Sequence, residues 1–252
     1  MTEHTGETRP LAPAGWYRDP EDARHLRWWN GYEWQQRAPL PSTKVVTPIG
    51  RGFRRLSQVL GSLLVFDLLL SGAQVALCAW GVADVADAVV LGDVETAETF
   101  DGLIVVASVG DLLAVLVAGV VWMRWQYQLA RAIQGLDRSP SMHAFSWIIP
   151  FASLWLPFQN VRDLWRRLLP LRRTRVLGWW WAAWLASTVI GRFFVGGDEI
   201  DSAGDVRSTM WTLLVLAAIG LVTVVLALHV VRSLTRAAWR SELVSRADSF
   251  VA

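Results

Sequence analysis

Cysteine occurs once in this chain, at Cys78, which excludes an internal disulfide and a thiolate metal site. The four histidines (His4, His25, His143, His229) are scattered without ligand spacing, so no metal is expected. Lysine is as scarce as cysteine: Lys44 alone, among 24 basic residues. That bias matches genomic base composition as readily as any function and carries no weight here. A net charge of +2 gives no field suited to nucleic acid. Roughly the first 50 residues contain no apolar core of a signal peptide, so the N-terminus is expected to stay in the cytoplasm. H-E-x-x-H, the P-loop, a helix-opening G-x-G-x-x-G and G-x-S-x-G are all missing. A non-enzymatic protein without cofactor is therefore expected.

What the chain has in excess is apolar residues, 53% of the total and in long blocks. Four windows reach the roughly 20 residues a helix needs to cross hydrocarbon, at about 56–82, 102–124, 176–195 and 209–231. Arginine sets their orientation. The loop Asp84–Asp101 carries Asp84, Asp87, Asp93, Glu95, Glu98 and Asp101 and no base. The loop Gly196–Ser208 carries Asp198, Glu199, Asp201 and Asp205 against Arg207. Arg51, Arg54 and Arg55, the run Arg162–Arg175, and Arg232, Arg236 and Arg240 occupy the opposite flanks. Both termini are thus expected in the cytoplasm, with the chain multi-pass in the plasma (inner) membrane. Trp122, Trp125, Trp165, Trp179, Trp180, Trp181, Trp184 and Trp239 fall near the same ends, at the expected headgroup level.

Residues 143–169 pose the topological question. The apolar part, Ala144–Phe158, is shorter than a span. Pro150 and Pro157 each remove a backbone donor, a loss that lipid cannot make good. Crossing here would also invert the arginine rule for everything downstream. Beyond Pro157, the residues Val161, Leu164, Trp165 and Leu168 recur at helical spacing. Asn160, Arg162, Asp163, Arg166 and Arg167 fall on the other side. The expectation is a re-entrant or interfacial amphipathic segment that returns to the side it left.

The block Trp147-x-x-Pro150-x-x-x-Leu154-Trp155-x-Pro157 resembles the signature of an uncharacterised actinobacterial membrane family, a domain of unknown function. That family has four spans and this signature between the second and third. The resemblance covers roughly residues 50–240 and implies membership without an activity.

Ahead of the spans, Gly15-Trp16-Tyr17-Arg18-Asp19-Pro20 and Arg27-Trp28-Trp29-Asn30-Gly31-Tyr32-Glu33-Trp34 form two aromatic runs around a charged turn. Asn30-Gly31 is a hairpin signal. A small antiparallel aromatic β module of two or three strands is expected over 13–38, held by cross-strand rings. Its motif is similar to the short G-W-Y-x-D-P…R-W-W-D-G-x-x-W module at the ends of many actinobacterial membrane proteins, with Asn30 replacing the usual Asp. More loosely, its order is similar to WW domains, which bind proline-rich peptides. The rings are either the module's own core or, through Trp29, Tyr32 and Trp34, contacts for a protein, peptide or headgroup. The full organisation is a disordered start (1–12), the module (13–38), a proline-rich linker (39–54), an all-α membrane domain (55–240) and a cytoplasmic tail (241–252).

Two acids sit inside spans. Asp67 and Asp111 fall at similar depths on adjacent antiparallel helices. Ser57, Gly61, Leu64, Asp67, Ser71, Gln74 and Cys78 share one face, and Ala107, Asp111, Ala114 and Ala118 share another. The pair is either interhelical glue or part of a proton or cation pathway. Arg192, toward the outer end of the third window, either pairs with an acid or snorkels. Two functions remain: a scaffold or adaptor with an aromatic interaction module, or a small transporter or channel, which in four spans would call for a homo-oligomer or an internal cavity.

Overall fold

The computed structural model describes residues 12–22, 25–39, 51–194 and 203–251, in two compact units divided near residue 43. The expected disordered start, the linker over 40–50, the acidic stretch 195–202 and the side chain of Arg192 lie outside the described residues.

The first unit is a three-stranded antiparallel sheet in the order β1 (Gly15–Arg18), β2 (His25–Trp29), β3 (Trp34–Pro39). Trp16 pairs with Trp28 and Trp29 with Trp34, with a bulge between Arg27 and Trp29. The second hairpin turns where Asn30 and Gly31 predict it. Asn30 Oδ1 accepts the backbone N–H groups of Tyr32 and Glu33 at 2.8 Å, and Gly31 takes φ 108°, a conformation only glycine adopts without strain. Asp19 closes the first hairpin. Its carboxylate accepts the Glu21 N–H at 3.0 Å and meets Arg37 from β3 at 2.5 Å. The Glu21 N–H, and then Arg37, hold this carboxyl below the usual range.

The second unit is helical. A first hairpin joins α1 (Arg51–Trp80), a π-helical stretch over Gly81–Val85 and α2 (Ala86–Val90) to α3 (Val94–Ala132). Then come α4 (Pro140–Phe145), a 3₁₀ turn (Ala152–Leu154), α5 (Leu156–Leu168), α6 (Arg175–Phe194) and α7 (Ala203–Val251). Three helical stretches among the described residues are long and apolar enough to cross a membrane: Gly52–Val90, Val94–Ala132 and Val206–Ser241. α6 fills the expected third window as a helix.

Helix α1 lies between α3 and α7, and α6 packs on α7. The inner face of α1 is the one its spacing predicts: Ser57, Leu64, Asp67, Ser71 and Cys78 are buried, with Phe53 and Leu60 in phase. Ala114 and Ala118 of α3 are buried as well. Small residues let these backbones approach, since lipid is as apolar as leucine and supplies no hydrophobic drive. Gly81 makes the closest approach. A Cβ there would stand 2.8 Å from the Phe100 ring and 3.1 Å from Met210 Sδ.

Three details depart from the sequence reading. The acidic loop is short: helix continues to Val90, Asp93 N-caps α3 through the Thr96 N–H at 3.1 Å, and the other acids extend the helices. Helix α1 begins at Arg51, inside the expected linker, and α7 continues through the expected tail to Val251. Asn160 and Asp163, placed on the wet face of the amphipathic helix, are buried. That face of α5 packs toward the loop before α4, where its polar groups find backbone partners.

Candidate functional site

Five chain segments converge at the arginine-bearing end of the helical unit: the start of α1, the end of α3, α5, the start of α6 and the middle of α7. Their meeting point is aromatic. Trp122 stacks on Trp180 at 5.5 Å, Trp181 on Trp184 at 4.6 Å, and Trp147 stands edge-on to Trp122, Trp181 and Trp184. Phe53 stacks on Trp125. Trp122, Trp125, Trp165, Trp180 and Trp181 are buried in protein, whereas Trp179, Trp155 and Trp211 are exposed. The expected headgroup belt is thus mainly an internal cluster. Hydropathy places a tryptophan at a helix end but not on a side of it.

One polar side chain organises the cluster. Gln126, fully buried, accepts the indole N–H of Trp122 at 3.0 Å and of Trp147 at 3.1 Å through the same oxygen. Nearby, Asn160 donates to Met142 O at 3.1 Å and Ser146 Oγ at 2.9 Å, and Asp163 accepts the Asp137 N–H at 2.9 Å. These bonds tie α4 and its flanks onto α5. Sequence reasoning missed Gln126 and His143. The available signal was weak: Gln126 lies four residues after Trp122, on the same helix face.

Within the unit, the Trp/Pro block is not a span. It is broken into short helices and turns, and Trp181 donates its indole N–H to Leu154 O at 3.2 Å, which holds the block beside α6. Pro157 stands in the first turn of α5, where no intrahelical donor is required. A proline presents no N–H to satisfy, and the donors around Pro150 bond within the turn: Ser153 to Ile149 O at 2.9 Å, Leu154 to Phe151 O at 3.0 Å. Phe151 has φ 60°, ψ −49° with Ala152 N–H on Pro150 O at 2.6 Å, a γ-turn of the rare positive-φ kind. Such a conformation costs about 1–3 kcal/mol in a residue other than glycine.

The acid pair does come together. Asp67 is buried, and its carboxyl lies within hydrogen-bonding reach of Asp111, which is half-buried on α3. Ser71, one turn along α1, is buried with them.

In the sheet unit, Trp29, Trp34 and Tyr17 form one cluster, with Trp29–Trp34 at 5.1 Å and Tyr17 edge-on to Trp34. The segment before β1 is fastened to it: Trp29 Nε1 donates to Ala12 O at 3.1 Å and Tyr17 to Pro13 O at 2.7 Å. Trp29 and Trp34 are therefore largely the module's own packing. Tyr32, in the turn, is 69% exposed, and Trp16, edge-on to Trp28, is 42% exposed. Gly15 opens β1, Pro20 lies in the bend after it, and Asn30 and Gly31 make the second turn.

A family model described as "Domain of unknown function (DUF4328)" matches residues 87–236. The chain belongs to the DUF4328 family. In this DUF4328 chain the match takes in Asp111, Gln126, His143 and the whole Trp147–Pro157 block, and it leaves Asp67 outside. A second model, "Protein of unknown function (DUF2510)", matches residues 14–45, so the sheet module is similar to that family. No curated protein and no solved structure matches the chain.

His143, buried in α4, gives the helical unit of this DUF4328 chain a pH dependence. Both ring nitrogens are buried and unpartnered, and burial pushes the imidazole down to about 4; Asp163 pulls it upward, Arg138 downward and Asp137 upward by less. The unfolded chain, with histidine near its ordinary 6.5, binds the proton first. Stability is therefore full above about pH 6.5 and declines toward pH 4, by a total of about 3 kcal/mol. Thermal midpoints in detergent across this range should fall in the native protein and stay flatter in His143→Leu.

Proposed function

We propose that the protein is a non-enzymatic membrane scaffold or adaptor of the plasma (inner) membrane. It has four crossings, α6 being the third, and both termini in the cytoplasm with the arginine-rich end. The N-terminal module contacts a protein or proline-rich peptide there. The observation that carries this reading is the pair of exposed rings, Trp16 and Tyr32, on a sheet too small to spare aromatic surface. The interlocked Trp/Gln cluster fits the same reading, because it fills one end of the helical unit with packing rather than a passage. The test is photo-crosslinking from Trp16 and Tyr32 positions of the full chain in native membranes. Partners lost on Trp16→Ala and Tyr32→Ala, but kept on Tyr127→Phe, support an adaptor. Identical cross-linked products from all variants refute it.

A second reading rests on one specific observation, the meeting of Asp67 and Asp111 between α1 and α3. A small transporter or channel would move a proton or cation through that pair, as a homo-oligomer or by an internal cavity. Asp67→Asn and Asp111→Asn should then abolish a pH-dependent flux in liposomes while the protein stays folded. Unchanged flux, or none in the native protein, leaves the acids as interhelical glue.

A further inference from the structure

The amphipathic helix α5 is the obvious lipid-binding element in this sequence, yet its apolar residues are already spent. Val161, Leu164, Trp165 and Leu168 are all buried in the cluster that also holds residues of α1, α3, α6 and α7. The apolar side chains left uncovered are in the turn before it. Phe145, Ile148, Phe151, Leu154 and Trp155 are exposed, Phe151 at 80%. No ionisable side chain occurs from 144 to 161.

Depth distinguishes this patch from a wet loop. Trp147 and Leu154 hold the turn against Trp184 and Trp181. From Arg175, where α6 begins, to Trp184 is about 13 Å at about 1.5 Å per residue. On α3 the partner is Trp122, inside Arg124, at the edge of that helix's charge-free run. The turn therefore descends beside the spans to where hydrocarbon begins, and its exposed patch continues their lipid-facing surface. Irregular backbone survives at that depth only if its polar groups are met within the protein. Much of the turn is met in this way: Ile148 N–H bonds Phe145 O at 3.0 Å, Ala152 N–H bonds Pro150 O at 2.6 Å, Ser153 N–H bonds Ile149 O at 2.9 Å, Leu154 N–H bonds Phe151 O at 3.0 Å and Trp155 N–H bonds Ala152 O at 3.1 Å.

We propose that the Phe145–Trp155 turn is a re-entrant wedge, inserted among the acyl chains of the leaflet at the arginine-rich end, with Phe151 at its tip. The strained γ-turn holds that ring outward, and the arginines of α5 and the α5–α6 connection stand above it at headgroup level. Lipid acyl chains are the ligand, and α5 itself rests on protein. This inference needs the membrane reading but not the adaptor.

The test uses the full chain with Cys78→Ala, carrying a single environment-sensitive fluorophore on Phe151→Cys or, as a control, Arg166→Cys. The proteins sit in nanodiscs of phosphatidylcholine and phosphatidylglycerol, with part of the lipid brominated near the top of the acyl chain. The label at 151 should emit blue-shifted, be quenched by brominated lipid, and respond to aqueous iodide several-fold less than the label at 166. Iodide quenching equal to that at 166 overturns the proposal. So does protection from iodide without quenching by brominated lipid, which would put protein, such as a second copy of the chain, over the turn. Loss of adaptor cross-links in the same preparation would leave these outcomes unaffected.

Discussion

Trp165→Ala should destabilise the helical unit by about 3–5 kcal/mol, whereas Trp179→Ala should change stability by about 0.5 kcal/mol or less. The two residues lie close in sequence and were equivalent by position, each at the arginine-bearing end of its helix. The structure separates them. Trp165 is 1% exposed within the cluster that joins α5 to the rest, and Trp179 is 71% exposed. Truncating the first leaves a cavity in the buried cluster shared by α1, α3, α5, α6 and α7, which fixed helices prevent from collapsing fully. Truncating the second removes surface from lipid or detergent. Unfolding in mixed micelles with increasing dodecyl sulfate measures both. Equal losses would mean that the tryptophans act as an interfacial belt after all.

Gln126→Leu should cost nearly as much by a different route. Leucine fits the space, so little packing is lost, but the indole N–H groups of Trp122 and Trp147 lose their shared acceptor. Each buried donor left unpaired costs about 1–3 kcal/mol. The loss should extend beyond stability. Trp147 connects the re-entrant turn to α3, so hydrogen exchange across Phe145–Leu154 should accelerate while exchange in α1 stays slow. Gln126→Glu keeps an acceptor oxygen and should recover part of the protection. If Gln126→Leu leaves exchange in the turn unchanged, the tryptophan ring contacts alone hold it.

The comparison with the sequence is instructive at particular residues. The inner face of α1 was legible because one helical spacing carried Ser57, Leu64, Asp67, Ser71 and Cys78, and only one face of a helix can receive them all. The Asp67–Asp111 meeting followed from depth on antiparallel neighbours. The Asn30-Gly31 turn followed from local backbone chemistry. What stayed illegible depends on tertiary partners. Asn160 and Asp163 looked solvated because they are polar, and are buried because the backbone of Asp137 and Met142 needs them. Tryptophan near a helix end reads alike whether it faces headgroups or another tryptophan. At Pro150 the sequence showed only the missing donor; which carbonyls the surrounding N–H groups reach, Ser153 to Ile149 O and Leu154 to Phe151 O, is set by the turn's geometry.

The segregation of charge along the helical unit also governs how copies can associate. Arginines gather at one end, on α1, α3, α5, α6 and α7, and Asp84, Asp87, Asp93, Glu95, Glu98 and Asp101 gather toward the other. On the membrane reading proposed above, every copy would take the same sense of insertion. Neighbours sharing a bilayer can then be related only by rotation about its normal, which permits rings and parallel dimers and forbids up-and-down pairs. In any such ring the Asp67–Asp111 pairs would all lie at a single depth, like stations on one circle.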